Sequence, residues 1–265
     1  TKDLRLEGQG RSTITRLDEN LDLLHEPLQL PEGSMGRIAS DKTEDGEFIF
    51  IPGIEKIWKI KVLVNDLEVD SDWSPSYRKS NDDQGLSWDG CISDGSLWLM
   101  NNGDIDSLRA IYSTHPNGRF KTAPKELSWR RPAPWSCKQR LYRFDLMSEK
   151  FDYIEPFKHH GGGIIAPPVN IPECNICVCW DSLNGGIAGI DTAGKPLKIC
   201  WKIDDLRPTM QPVVFPDSKE LVINSFENND DHLVVIDLSN GEILSKVALN
   251  SPLANGMFLM PGLKN

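Results

Sequence analysis

Three aspartates at equal intervals restrict the possible folds of this chain more than any other feature. Asp145, Asp191 and Asp237 are each 46 residues from the next. Around each runs the same pattern: a short apolar, β-branched stretch, the Asp, a turn, then a second such stretch. It is plainest over residues 189–201 and 235–247, and recurs at 143–153 without the turn glycine. Asp18 sits in a fourth copy, and Lys61 takes the Asp position in a fifth. A second element repeats upstream: residues 168–172 and 212–216, both bounded by Pro, lie 44 apart and lead into apolar runs at Ile176 and Leu221. A fixed period of this length means that one supersecondary unit recurs and that each copy buries its apolar faces against its neighbours.

The unit is built of strands. Runs at 47–51, 96–100, 176–180, 221–223 and 232–236 are rich in Val, Ile, Phe and Trp and are separated by Gly, Pro, Asn and Asp. No segment keeps a helical apolar period over three turns. Four short strands in about 45 residues make a β-propeller blade. We therefore expect an all-β chain, a single domain over 1–265 of four-stranded antiparallel blades. Residues 1–30 supply only the outer part of a blade; blade two covers 35–76, blade three 85–158, blade four 163–203 and blade five 209–248. Residues 254–261 read as one more inner strand, whose pairing with the N-terminal strands would close a mixed blade and remove free sheet edges. That gives about five blades, or six or more if residues are missing from either end. The chain begins at Thr1 rather than Met, so we expect a truncated N-terminus, keep a signal peptide open and leave the compartment unassigned.

The formal charge is −10 over 265 residues. Acidity on this scale argues against binding nucleic acid or an anionic membrane, since phosphate contacts need a basic surface. No apolar run approaches a membrane span, so a soluble protein of unknown oligomeric state is expected. Cys174, Cys177 and Cys179 are spaced like part of a zinc site, but no second pair or suitably spaced His follows, so they read as buried strand residues. Asp66, Glu68, Asp70 and Asp72 alternate; an EF-hand template fails at Ser71 and Tyr77, leaving the solvent face of an outermost strand. Nucleophile-elbow, phosphate-loop and zincin motifs are absent.

The strand–Asp–turn–Gly–strand unit at 189–201 and 235–247 resembles the repeat of the PQQ-like, quinoprotein-type propeller superfamily. The Trp that commonly ends that repeat stands at Trp201 and is replaced by Val247 in the next copy. The adjacent cysteine pair of quinoprotein dehydrogenases is missing. The resemblance thus implies the fold and not the quinone, and no cofactor is expected.

Equal blades would space the repeats uniformly, yet Lys61 and Asp145 lie 84 residues apart. The excess falls at 103–140, between the second and third strands of blade three. This insertion has eight basic and three acidic side chains, a net +5, which leaves −15 on the rest. In propellers, loops between second and third strands share a face with the blade-to-blade connectors, around the channel mouth. Trp129, Arg130, Arg131 and Trp135 in the insertion combine guanidinium forks for carboxylate, sulfate or phosphate with indoles that stack on a sugar or aryl ring; alternatively the arginines pair with acidic neighbours. His159 and His160, ahead of three glycines, suit a general acid or base, or a solvated turn. Asn102, Asp181, Asn184, Arg207, Gln211 and Asn224 fall on the same face as candidate ligand contacts. Asn and Asp there also suit turn capping, or Ca²⁺ as in lactonase-type propellers; no metal site is assigned. Three functions stay open: a binder of an anionic small molecule or glycan; a hydrolase, lyase or transferase acting through His159 or His160 with Arg130 or Arg131; and a protein-interaction scaffold.

Overall fold

The computed structural model describes residues 11–34, 37–53, 55–77, 86–102, 138–158, 166–182, 184–228 and 230–250. The alternating runs form four meanders of four antiparallel strands. Blade two is β3 (Ala39–Thr43), β4 (Gly46–Pro52), β5 (Ile57–Val62) and β6 (Leu67–Val69). Blade three is β7 (Leu86–Ser93), β8 (Ser96–Asn102), β9 (Leu141–Asp145) and β10 (Phe151–Ile154). Blade four holds β11 (Val169–Ile171), β12 (Ile176–Trp180), β13 (Ile187–Asp191) and β14 (Lys198–Ile203), and blade five β15 (Val213–Phe215), β16 (Glu220–Glu227), β17 (Asp230–Asp237) and β18 (Ile243–Ala248). β7 touches both β3 and β11, so first strands of successive blades lie side by side. The N-terminal residues form a two-stranded hairpin, β1 (Thr13–Ile14) and β2 (Leu28–Gln29), extended by a Leu17–Leu23 bridge. Asp18 in its turn corresponds to the turn Asp between third and fourth strands of the other blades. The closing strand foreseen at 254–261 lies outside the described residues.

The repeated aspartate is a turn former. Asp145 Oδ1 accepts the N–H groups of Met147 and Ser148 (2.9 and 2.8 Å), Asp191 Oδ1 that of Ala193 (2.9 Å), Asp237 Oδ1 that of Ser239 (2.8 Å) and Asp18 Oδ1 that of Asn20 (2.8 Å). Each closes the loop from third to outer strand through its own side chain. Lys61 holds the matching register, opposite Phe48 as Asp145 is opposite Ser96.

Beside each turn Asp the pattern of two decides the packing. The preceding residue faces the previous blade: Ile60, Phe144, Ile190 and Ile236 are all fully buried. Phe144 shares a core cluster with Phe50 and Trp73 of blade two, and Ile60 one with Ile14 and Leu30 of the hairpin. The residue two before the Asp faces the next blade. There Arg16 donates to Leu63 O (2.8 Å), and Arg143 to Thr192 O (2.8 Å) and Gly194 O (2.9 Å). The other two interfaces are crossed by indoles: Trp73 Nε1 donates to Asp145 O (3.1 Å) and Ser148 O (3.0 Å), and Trp201 Nε1 to Leu238 O (2.7 Å). Glu32 clips the hairpin to blade two at its other end, accepting from Trp58 Nε1 (2.8 Å) and from the N–H groups of Glu55 (2.9 Å) and Lys56 (3.0 Å).

Two expectations need correction. Val247 does not replace Trp201. Register places Trp201 opposite Gly189 but Ser245 opposite Val235, because the blade-five turn after Asp237 is two residues shorter than the blade-four turn after Asp191. Nor do the four alternating acids share one strand. β6 spans only Leu67–Val69, so Glu68 alone is a strand residue; Asp66 caps Leu67 N–H (2.8 Å), and Asp70 caps Asp72 N–H (3.1 Å) and pairs with Lys59 (3.2 Å). Of the three cysteines read as buried strand residues, Cys177 and Cys179 are fully buried within β12, whereas Cys174 ends the short 3-10 turn before it and is half-buried. Cys91 donates to Pro168 O (2.9 Å), and burial pushes its thiol up to about 11.

Candidate functional site

The excess spacing falls between β8, which ends at Asn102, and β9, which starts at Leu141. The foot of the insertion is tied by Asn101, the fully buried penultimate residue of β8. Asn101 N–H donates to Arg140 O (3.2 Å), its Oδ1 accepts Arg140 N–H and its Nδ2 donates to Lys138 O (3.4 Å), while Gln139 Nε2 donates to Asn101 O (3.3 Å). One amide therefore holds the returning chain against the departing one. The foot is then fastened to the exit of β10. Arg140 Nε donates to Glu155 Oε1 (3.1 Å), Lys138 Nζ lies 3.5 Å from Glu155 Oε2, and the Arg140 guanidinium sits 5.1 Å from the Tyr153 ring centroid.

Two residues past Glu155, Phe157 and Lys158 meet blade four. Gly186, with φ +121°, lies under the Phe157 ring; a Cβ there would come within 2.8 Å of it, so only glycine lets the loop after β12 dock on blade three. That loop is shaped by Asp181, which is fully buried and accepts both the N–H and the Nδ2 of Asn184, each at 3.1 Å. Gly186 N–H donates to Leu206 O (2.6 Å), locking the loop to the connector toward blade five. Between these pieces opens a cleft of about 410 Å³ lined by Lys158, Asn184, Gly185, Lys202 and Asp204. Lys202 Nζ is 2.7 Å from Asp204 Oδ1 and 5.6 Å from the Phe157 ring centroid, which fixes its long side chain. Three polar atoms at the end of β12 and in the loop after it, Trp180 Nε1, Ser182 Oγ and Asn184 Oδ1, are buried without a hydrogen-bond partner. Lys158 and Lys202 escaped the sequence reading because they are single lysines on different blades, and only the docking of Gly186 on Phe157 brings them together.

On the same face, blade five carries a longer hairpin, with β16 and β17 each eight residues. Asn224 is buried and fully used within it. Its Oδ1 accepts from Thr209 N–H (3.3 Å) and Met210 N–H (3.1 Å), and its Nδ2 donates to Thr209 Oγ1 (2.6 Å) and Asp231 Oδ1 (3.2 Å). Burial pushes the Asp231 carboxyl up. Arg207 N–H donates to Ser225 Oγ (2.9 Å), whose hydroxyl donates to Glu227 Oε1 (2.7 Å). Burial raises Glu227, but Lys246, 2.5 Å away, and Ser225 outweigh it and hold the carboxyl below its usual value. Gln211 is exposed at the start of the blade.

Of the residues singled out in the sequence, Asn184 therefore lines the cleft, Asp181 and Asn224 are occupied in shaping loops, Arg207 is part of a connector, and Asn102 ends β8 opposite Leu86. Trp129, Arg130, Arg131, Trp135, His159 and His160 lie outside the described residues. Among the described residues no three His, Cys, Asp or Glu side chains gather as metal ligands, and no helix is long and apolar enough to cross a membrane.

Solved structures share this architecture. A protein of Bacteroides uniformis assigned as a 6-phosphogluconolactonase is 11% identical with a TM-score of 0.52, over 91% of this chain and 66% of that one. AztD of Citrobacter koseri is 12% identical with a TM-score of 0.50, over 84% and 48%, and the propeller of Dos1 is 11% identical with a TM-score of 0.53, over 87% and 52%. The chain thus spans about half to two thirds of the length of these structures. No protein-family model and no curated protein matches it. At such low identity the likeness speaks for the fold, and together with the four meanders it makes this chain a β-propeller.

Proposed function

We propose that the protein is a ligand-binding propeller that takes an anionic small molecule or the acidic end of a glycan between blades three and four. The cleft carries this reading: in a chain of net −10, two ammonium groups, Lys158 and Lys202, line one opening with the Asn184 amide. Asp204, which neutralises Lys202, is exposed and free to swing away when a ligand anion replaces it. The end of the insertion is rooted at Glu155, three residues before Lys158, through Lys138 and Arg140. In this reading Arg130 and Arg131 add bidentate contacts, and Trp129 and Trp135 stack on the ligand's ring. His159 and His160 follow Lys158 directly in sequence, and in this reading they serve the same ligand. We also read the repeat as quinoprotein-type, supported by the Asp-capped turn and the docking of Trp201, with no quinone bound.

Calorimetric titration with glucuronate oligosaccharides, a sugar phosphate and inorganic phosphate tests the site. Lys158→Ala with Lys202→Ala should weaken the best binder at least tenfold, and Arg130→Ala with Arg131→Ala should do the same. Unchanged affinity in the lysine pair would remove the cleft, and no binding of any probe by the unaltered chain would remove the ligand reading itself.

A further inference from the structure

The cleft between blades three and four holds an acceptor that its lysines do not use. Asn184 lines the cleft and is half-buried. Its backbone N–H donates to Asp181 Oδ1 and its Nδ2 to Asp181 Oδ2, each at 3.1 Å. Asp181 is fully buried and built into the loop: its N–H donates to Gly186 O (2.9 Å), and its carbonyl accepts Gly185 N–H (3.0 Å). A carboxylate only accepts, so the amide nitrogen of Asn184 must face it; the turned-over amide would set Oδ1 against a carboxylate oxygen. Asn184 Oδ1 is thereby a fixed acceptor pointing away from Asp181, and it is buried without a hydrogen-bond partner. Leaving such an acceptor empty costs free energy, which a donor on a ligand recovers. Lys202 is not that donor: its ammonium is engaged by Asp204 at 2.7 Å and lies beside the Phe157 ring.

Building on the anion-binding reading of the cleft, we infer that it selects hydroxylated anions: the acid group of the ligand meets Lys158 and Lys202, and a hydroxyl close to that acid donates to Asn184 Oδ1. The lining groups ask for two different things of one molecule. The ammonium groups offer only donors and call for negative charge, whereas Asn184 Oδ1 calls for a donor. An amino group would meet that second need, but two lysine ammoniums in the same opening repel it. A plain carboxylate or a sulfate brings no donor and leaves the acceptor empty. Uronic acids and other hydroxy acids carry both groups within a few bonds. A site built to bond a hydroxyl rejects the analogue lacking it more strongly than an apolar pocket rejects a missing methylene, because its own polar group is then left unpaired. Asn184 is in this sense a specificity residue. Lys158 and Asp204 are exposed side chains at the opening, and they give way as the ligand enters.

Glucuronate and tetrahydropyran-2-carboxylate share the ring and the acid and differ in the hydroxyls, so calorimetric titration with both separates the two parts of the site. The unaltered chain should bind glucuronate at least tenfold more tightly, and one monodeoxy form of glucuronate should lose most of that preference. Asn184→Ala keeps the backbone N–H that bonds Asp181, and circular dichroism checks its fold. It should weaken glucuronate about tenfold, leave tetrahydropyran-2-carboxylate unchanged and bind the sensitive monodeoxy form as well as glucuronate. The monodeoxy series needs only the unaltered chain and decides the matter alone if the variant does not fold. Lys158→Ala with Lys202→Ala should weaken both acids alike. Equal binding of the two acids by the unaltered chain, no single hydroxyl that matters, or an Asn184→Ala variant that lowers both acids alike would overturn the hydroxyl selection and leave the anion site standing. If neither acid binds, or the lysine pair changes nothing, the cleft reading falls and the selection falls with it.

Discussion

Two kinds of junction alternate along the described blades. Arg16 fastens the hairpin to blade two and Arg143 fastens blade three to blade four, while Trp73 and Trp201 do the same for the junctions between. The arginine junction works by polar contacts. Arg143 forms a fork with Asp152 (2.9 and 2.8 Å), lies 5.5 Å from the Trp98 ring centroid and donates two further N–H groups to two carbonyls of blade four. The tryptophan junction works by area: one hydrogen bond from Trp201, and a ring held between Gly189 of its own blade, where a Cβ would lie 2.3 Å from it, and Gly241 in the turn of blade five, where a Cβ would lie 2.9 Å from it. The shared part is the acceptor, a backbone carbonyl at the turn between the third and outer strands, which the repeated Asp builds in blades three, four and five and which follows Lys61 in blade two. The donor is free to vary, and so is the dominant force.

The largest effect is expected at the tryptophan junction. Trp201→Ala should cost about 3–5 kcal/mol, the usual range for emptying a buried aromatic site, read as a fall in the urea midpoint. Gly189→Ala alone should cost about 1–3 kcal/mol through overpacking. In the Trp201→Ala background the added methyl enters the vacated space, so the two losses should not add. A Trp201→Ala loss below about 1 kcal/mol would show that the ring is not what joins blades four and five.

Arg143→Met sharpens the comparison at the other kind of junction. It strips two carbonyls of their donor and leaves Asp152 unpaired. Asp152 keeps some contact with water, so we expect about 2–3 kcal/mol, below the range for a fully buried pair. Adding Asp152→Asn should recover part of it. If the recovery is nil, the fork with Asp152 contributes little and the carbonyl bonds carry the junction.

This contrast also explains what was legible in the sequence. The turn Asp is readable because one local job, capping its own backbone, recurs wherever the turn does. The strands and the ends of the insertion followed from that period. The junction residues were hidden because Arg and Trp share no pattern, and Val247 was matched to Trp201 because counting along the chain ignores a turn two residues shorter. Asn101 and Glu32 act on partners 37–39 and 23–26 residues away, a separation that no local motif announces. For the site, the sequence reached Asn184 but not Lys158 or Lys202, which meet only through the packing of two blades.

The smallest effect concerns the acceptor side that all junctions share. Asp237 presents the turn that receives Trp201, and the hydrogen bond from the Ser239 side chain, followed by that from its backbone, holds the Asp237 carboxyl below its usual value. A group whose folded value is lowered adds stability above its unfolded value, near pH 4, and loses that contribution as pH falls through the folded value. Asp237→Asn should therefore be slightly less stable than the unaltered chain at pH 7, with the gap closing in acid as pH falls through the lowered folded value. Asp18, lowered chiefly by the Asp22 backbone N–H, should behave alike although its turn receives no indole among the described residues. Urea titrations of Asp237→Asn and Asp18→Asn at pH 7 and in acid compare the two. Equal, acid-sensitive losses place the role of the Asp in the turn itself; a loss confined to Asp237 makes it part of the Trp201 junction.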